Sequence, residues 1–181
     1  LYGGADSDCS GIVALISLAR MFYTHKMIPG EVFSKNLLFV SLDAHNYSLQ
    51  GAYALYEDLA KGVMRDPDSG REITLKDVEE VINIEQIGST FAPLSSNNPK
   101  YMIMLGQNRL KGDDKNLLGE CNRFYKTGLE LSYSYYGSES FTSVFSRLSD
   151  QRPFVDGGKT ALLFTSGITF RTNKASDNAE S

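Results

Sequence analysis

The side chains able to do chemistry in this sequence stand where apolar runs give out. Asp6, Ser7 and Asp8 lie in the Gly-rich stretch GGADSDCSG, and Asp43, His45 and Asn46 follow the run LLFVSL. Glu85 follows VINI, Asp150 falls in SDQRPF, and Asn173 lies in TNKASDNAES near the carboxyl end. Carboxylates with an imidazole are a common means of binding a divalent cation or of moving a proton at neutral pH. The chain has 2 histidines, and His45 is the one placed just after an apolar run, as a candidate base or ligand. The competing reading of a lone histidine is a hydrogen-bonded polar residue without a chemical role. Glu79 and Glu80 read as solvated charges, whereas Glu85 ends a run that points to the same rim as Asp43. Asp6, Asp8, Asp43 and Asp150 are the remaining ligand-binding candidates. Asn46-Tyr47-Ser48 has the form of a glycosylation acceptor, but a turn beside the core is a poor place for a glycan. Gly3, Gly4 and Gly11 lack both the dinucleotide-binding spacing and the lysine of a phosphate loop, so they read as a tight turn into a capped helix.

The elements that must position these groups follow from periodicity. Leu37 to Leu42 has no polar alternation, which predicts a central strand covered on both faces in a mainly parallel sheet. Asp43 to Ser48 then lies at its carboxyl end, where open α/β sheets bind ligands. Ile12, Leu15, Ile16, Ala19 and Phe22 recur at helical spacing, predicting a helix over Ile12 to Tyr23 that is apolar nearly all round, with Ser10 or Asp8 as its cap. A second helix runs from Leu49 to Leu59, with Gly51 allowing close approach. Lys61 to Leu75, with the turn Pro67-Asp68-Ser69-Gly70, reads as a surface excursion. Val81 to Ile84 reads as a short strand, Tyr101 to Leu105 as another apolar strand and Ala161 to Thr165 as a last buried strand, with the alternating stretch Leu129 to Tyr135 a half-exposed strand nearer an edge. A helix capped by Asp113 or Asp114 presents Leu117, Leu118, Cys121, Phe124 and Tyr125 and stops at Gly128. Ser138 to Leu148 reads as a short helix and Ser149 to Gly158 as loop.

At 181 residues and 41% hydrophobic content, the chain fits one well-buried domain, taken as residues 1–181. A net charge of −4 and a pI near 5.2, with no basic run, argue against nucleic acid and anionic membrane surfaces as partners. No apolar stretch approaches the roughly 20 residues of a membrane span, and no signal peptide is visible at Leu1. Cys9 and Cys121 have no metal-type spacing; they are one disulfide or two thiols. Both ends read as those of a piece cut from a longer chain.

The order of these motifs resembles the dizinc aminopeptidases, the zinc exopeptidases related to glutaminyl cyclase, transferrin receptor, nicastrin and nicalin. GGADSDCSGIVALISLARMF is similar to that family's G-A-D-D-x-x-S-G loop and following helix, and LLFVSLDAHNYSLQGAYAL to its apolar strand, Glu-Glu pair and Leu-x-Gly helix. VINIEQIG resembles I-N-L-D-M-x-G, SDQRPFVDGGKTALLFTSG the S-D-H-x-x-F strand approach, and TNKASDNAES the terminal H-x-x-S-D loop. The resemblance implies a three-layer αβα domain with a mixed, mostly parallel sheet, lacking some amino-terminal strands and the final helix. It also implies a two-metal site held by carboxylates and histidines, where a Glu deprotonates the water that attacks a peptide carbonyl.

The sequence departs from that pattern at its key positions. Ser7 stands at the bridging Asp, His45 at the general-base Glu, Asn46 at the neighbouring ligand Glu, Glu85 at the next Asp, and Asn173 at the terminal His. Two divalent ions need several negative ligands to offset their repulsion, and of these five positions only Glu85 offers one. The resemblance thus predicts a catalytically inactive relative without a resident cofactor, binding a peptide, glycan or protein partner or serving a structural role. The alternative is a metal-dependent aminopeptidase with a single zinc on Glu85, His45 and Asp8. Ser7, His45, Asn46, Glu85 and Asn173 are expected to share one rim. The Tyr-, Ser- and Asn-rich second half is most like exported bacterial peptidases, predicting a periplasmic or secreted protein, with nicalin-like proteins as the rival source.

Overall fold

The computed structural model of the protein describes residues 3–30, 33–89, 98–135, 137–169 and 171–179. A π-helical turn, Ala5–Cys9, runs straight into α1, Ser10–Lys26. α2 spans Gln50–Lys61 and β1 spans Glu80–Ile84. Then come β2 (Tyr101–Leu105), a 3-10 turn (Gln107–Arg109), α3 (Asp114–Phe124) and β3 (Glu130–Ser132). α4 (Glu139–Phe145), α5 (Arg152–Asp156) and β4 (Thr160–Thr165) follow.

The strands form a sheet of order β1-β4-β2-β3, in which β1 pairs β4 and β2 pairs β3 in parallel, while β2 and β4 are antiparallel. Successive strand residues face opposite sides, so Ala161 and Leu163 of β4 point one way and Leu162 and Phe164 the other. On the first face Ala161 meets Leu59 of α2 and Phe154 and Val155 of α5, while Leu163 joins Tyr101, Ile103, Leu105, Tyr135 and Phe145. On the second, Leu162 and Phe164 pack with Met104, Leu110 and Leu118 of α3. Helices therefore cover both faces, giving the three-layer αβα architecture with a mixed, mostly parallel sheet. Fully removing one such large apolar side chain from water stabilises the fold by about 1.5–3 kcal/mol, and the buried side chains of β2 and β4 supply this while β1 is only partly covered. Among the described residues no helix is long and apolar enough to cross a membrane.

The run Leu37 to Leu42 differs from expectation, for it is not a strand of this sheet. Its backbone is extended but makes no ladder with any described residue. Leu37 and Leu38 are 50% and 55% exposed, so neither face is covered as a central strand's would be. Its course is still fixed at both ends: Lys35 is ion-paired with Glu79 just before β1, and His45 reaches Glu85 just after it. The run thus flanks β1 in the same direction. An unbroken apolar pattern reports faces suited to burial; it does not report whether a neighbouring backbone is there to pair with.

Other local differences have equally plain causes. Neither Ser10 nor Asp8 caps α1. Instead the Ser10 hydroxyl donates to the Asp6 carbonyl at 2.6 Å and accepts from the Ile87 amide at 3.1 Å, tying the helix start to the exit of β1. The expected strand over Leu129 to Tyr135 shortens to β3, because Tyr135 turns inward, stacks on Phe145 at 4.1 Å and accepts from the Ile168 amide at 2.7 Å. The stretch after Ser149 contains α5, whose proline sits in the first turn, where a missing N–H costs nothing. Lys61 to Leu75 is not wholly a surface excursion, since Ile73 and Leu75 join the core beside Leu59.

Candidate functional site at the exit of β1

The loop after the apolar run is set by backbone geometry. Ala44, Ser48 and Leu49 have φ of 60°, 59° and 59°, left-handed values that fold the chain back on itself. Asp43 Oδ1 accepts from the Ala44 amide at 2.6 Å, and the Leu49 amide donates to the His45 carbonyl at 3.0 Å. Gly51 then lets α2 sit against Asp43, since a Cβ there would overlap the Asp43 carbonyl. The result turns His45 toward the end of β1.

There His45 lies between two carboxylates. Its Nδ1 is 3.3 Å from Asp150 Oδ2 and its Nε2 is 3.6 Å from Glu85 Oε1. The hydrogen bond with Asp150 raises the imidazole pKa above the ordinary 6.5; partial burial opposes this, and the charges of Glu85 and Asp150 reinforce it. The side chains behind are polar and satisfied: Ser149 Oγ donates to Glu85 Oε2, and Asn83 Nδ2 donates to Ser149 Oγ at 2.6 Å and to Gln151 Oε1 at 2.9 Å. Asp150 Oδ1 is buried without a hydrogen-bond partner among the described residues.

A second cluster stands on the amino-terminal turn. Asp177 is fully buried; its Oδ1 accepts from the Asp6 amide at 2.7 Å, and its Oδ2 accepts from the Ser7 amide at 3.1 Å and from Ser7 Oγ at 2.5 Å. Burial pushes the Asp177 carboxyl up, but these donors and the charge of Arg171 outweigh it and hold the group below the usual carboxylate value. The side chain of Asp6 accepts from the Gly88 amide at 2.7 Å and from Ser89 Oγ. Asp6 is thus a structural pin.

The two clusters meet on the segment Glu85 to Gly88. Glu85 serves the first, Gly88 holds Asp6 of the second, and Gln86 Oε1 accepts from Thr172 Oγ1 at 3.0 Å, drawing in the chain next to Asn173. Asn46 and Asn173 are exposed, Asn173 with a left-handed φ of 58°. Asp8 and Asp43 are also exposed and make no ion pair with His45. Sequence reasoning did not single out Asp177, Ser149, Asn83 or Gln86 as site residues. The Ser-Asp pair at 176–177 was the one available signal, since a buried polar network has no periodicity of its own.

These residues do not fit a two-metal centre. Ser7 offers a neutral hydroxyl already donated to a carboxylate, Asn46 an exposed amide, and His45 two ring nitrogens that face different carboxylates in different directions. Among the described residues no three of His, Cys, Asp and Glu are grouped to hold a metal ion. Beside the clusters opens a cavity of about 630 Å³, lined by Ile87, Gly88, Ser89, Tyr101, Met102 and Thr169 among others.

No protein-family model matches the chain. No curated protein matches it. Among solved structures, it is similar to the LapA aminopeptidase of Legionella pneumophila, with a TM-score of 0.70 and 16% identity, covering 99% of this chain and 41% of that one. A second crystal structure of Legionella LapA gives a TM-score of 0.69 at 17% identity, covering 99% of this chain and 43% of that one. The chain therefore has an aminopeptidase-like fold and spans less than half the length of these neighbours.

Proposed function

We propose that this is a catalytically silent domain of aminopeptidase-like fold that binds a partner at the rim beyond β1, with a peptide as the foremost ligand. The observation that carries the reading is the state of two positions. Where the resemblance puts a metal-bridging carboxylate, Ser7 donates its hydroxyl to Asp177 at 2.5 Å. Where it puts a general base, His45 is held between Asp150 and Glu85. A general base must have a free lone pair aimed at the bound water, whereas both ring nitrogens of His45 already face carboxylates. The cavity of about 630 Å³ beside the clusters is of a size to take peptide side chains.

The test is zinc content by elemental analysis together with turnover of an aminoacyl-nitroanilide. The reading expects neither stoichiometric zinc nor turnover; hydrolysis abolished by a chelator would overturn it. One observation favours the second reading, a single-metal aminopeptidase: the 3.6 Å between His45 Nε2 and Glu85 Oε1 is close to the separation of two ligands on one zinc ion. Asp8, named for that centre, makes no ion pair with His45. We further propose an extracytoplasmic location, supported by the resemblance of the second half to exported bacterial peptidases. A full-length gene with neither a leader nor a lipoprotein signal would remove it.

A further inference from the structure

We infer that the cavity beside the two clusters holds the free carboxyl end of a peptide whose last side chain is apolar, with Lys100 and Arg171 meeting its carboxylate. The inference rests on the reading of the rim as a peptide-binding site and names the end of the peptide that the cavity takes.

The sheet assembles this cavity. β2 runs antiparallel to β4 with Ile103 opposite Thr165, so the residues before Ile103 lie alongside those after Thr165. β3 is parallel to β2, and the Glu130 amide donates to the Lys100 carbonyl at 2.9 Å, which brings Leu129 to the same end. The starts of β2 and β3 therefore meet the exits of β1 and β4, and stretches distant in sequence enclose about 630 Å³. That volume is in the ordinary range of small-ligand sites.

The wall sets the ligand's chemistry by what its internal bonds leave over. Ile87, Tyr101, Met102 and Leu129 supply apolar surface. The Gly88 amide and Ser89 Oγ donate to Asp6, and Ser166 Oγ donates to the Gln86 carbonyl at 2.7 Å, so these polar groups are engaged. The strongest donors left are cationic. The Lys100 ammonium gives one N–H to the Thr127 carbonyl at 2.9 Å, and Arg171 brings a planar fork of donors that matches a carboxylate. Asp177, whose charge Arg171 offsets, is fully buried and already accepts from Asp6 and Ser7. Among the described residues lining the cavity there is no Asp or Glu, although the chain carries a net charge of −4.

Lys100 is exposed and Arg171 half-buried, whereas Tyr101 and Ser166 are buried, so positive charge stands nearer the mouth than the floor. Such a site suits a group that joins one negative charge to hydrocarbon. The last residue of a peptide does so, with its carboxylate and its side chain branching from one carbon. An Asp or Glu side chain brings the charge without the apolar branch, and an amino terminus would set a third cation against Lys100 and Arg171.

Tetrapeptides with fluorescein on the amino end and leucine, methionine, phenylalanine or valine as the last residue, each as the free acid and as its amide, test this by fluorescence polarisation on the natural protein. The acids should bind about tenfold or more tighter than the amides, which is the worth of a hydrogen bond to a charged group. Lys100→Met and Arg171→Met should each bring the acid's dissociation constant toward the amide's and leave the amide's unchanged. Lys100 is exposed, so its variant reports even where loss of Arg171 beside Asp177 disturbs the fold. Equal binding of acid and amide overturns the inference and leaves the peptide reading of the rim standing. An acid preference that survives in both variants overturns it by placing the carboxylate elsewhere. Tighter binding of an amide that ends in glutamate overturns it in favour of an acidic side chain, and binding of none of the peptides overturns both the inference and the reading beneath it.

Discussion

Ser7 Oγ donates to Asp177 Oδ2 at 2.5 Å, joining residues 170 apart in sequence. The position that the resemblance assigns to a metal-bridging carboxylate instead carries a hydroxyl that ties the carboxyl-terminal loop to the turn before α1. Three hydrogen bonds from Asp6 and Ser7 to the Asp177 carboxylate hold the two segments together there.

Ser7→Ala should therefore cost about 1–3 kcal/mol, since a fully buried carboxylate loses a donor and gains no water in exchange. Because the Asp177 pKa is lowered in the fold, its stabilising contribution is present above the ordinary 3.8 and is lost as pH falls through the lower folded value. Urea unfolding at neutral pH and at stepwise lower pH measures both effects. A Ser7→Ala protein as stable as the parent at neutral pH would mean that the bond has no structural role.

His45 gives the opposite pH dependence. Its pKa is raised above 6.5, so its contribution is fully present below that value and is lost as pH rises through the folded pKa. Asp150→Asn removes the hydrogen-bonding carboxylate and should bring the His45 titration down, while leaving the weaker influence of Glu85. NMR titration of the His45 ring is the measurement; an unchanged midpoint in Asp150→Asn would assign the shift elsewhere.

Restoring the expected general base by itself should fail. His45→Glu would place a third carboxylate between Glu85 and Asp150, where two already share the imidazole. Like charges at that spacing repel, so the variant should be less stable than the parent at neutral pH and recover part of the loss in mild acid. It should show no chelator-sensitive hydrolysis, because Ser7 still supplies no bridging carboxylate. Thermal melts across pH and a nitroanilide assay with zinc present read out the two halves of the expectation separately.

What the sequence made legible were the strands whose neighbours are present. β1, β2 and β4 are short apolar runs that pair with one another, and periodicity located each of them. Leu37 to Leu42 carries as strong a pattern, yet pairing depends on a second backbone that its own residues do not encode. At the site, His45 and Glu85 were visible because they stand at the ends of apolar runs. Asp177 and Ser149 were not, because their importance lies in partners 170 and 64 residues away. α5 was hidden by its proline, which in a first turn is compatible with a helix and elsewhere breaks one.

Two helical glycines separate close packing from intrinsic propensity, and they should respond with opposite sign to the same change. Replacing glycine by alanine within a helix is worth about 0.5–1 kcal/mol of stabilisation when the new methyl group meets nothing. Gly119 in α3 is such a place, where the nearest atom to an added Cβ is Tyr133 Oη at 4.0 Å. Gly51 in α2 is the reverse, since its Cβ would overlap the Asp43 carbonyl and force the helix away from the loop that carries His45. Overpacking of that kind costs about 1–3 kcal/mol and outweighs the propensity gain. Gly119→Ala should thus raise the denaturation midpoint and leave the His45 titration alone. Gly51→Ala should lower the midpoint and move the His45 pKa back toward 6.5, because the ring is drawn from Asp150 and Glu85. If both variants gained stability, α2 would not be seated on Asp43, and the placement of His45 at the exit of β1 would need another cause.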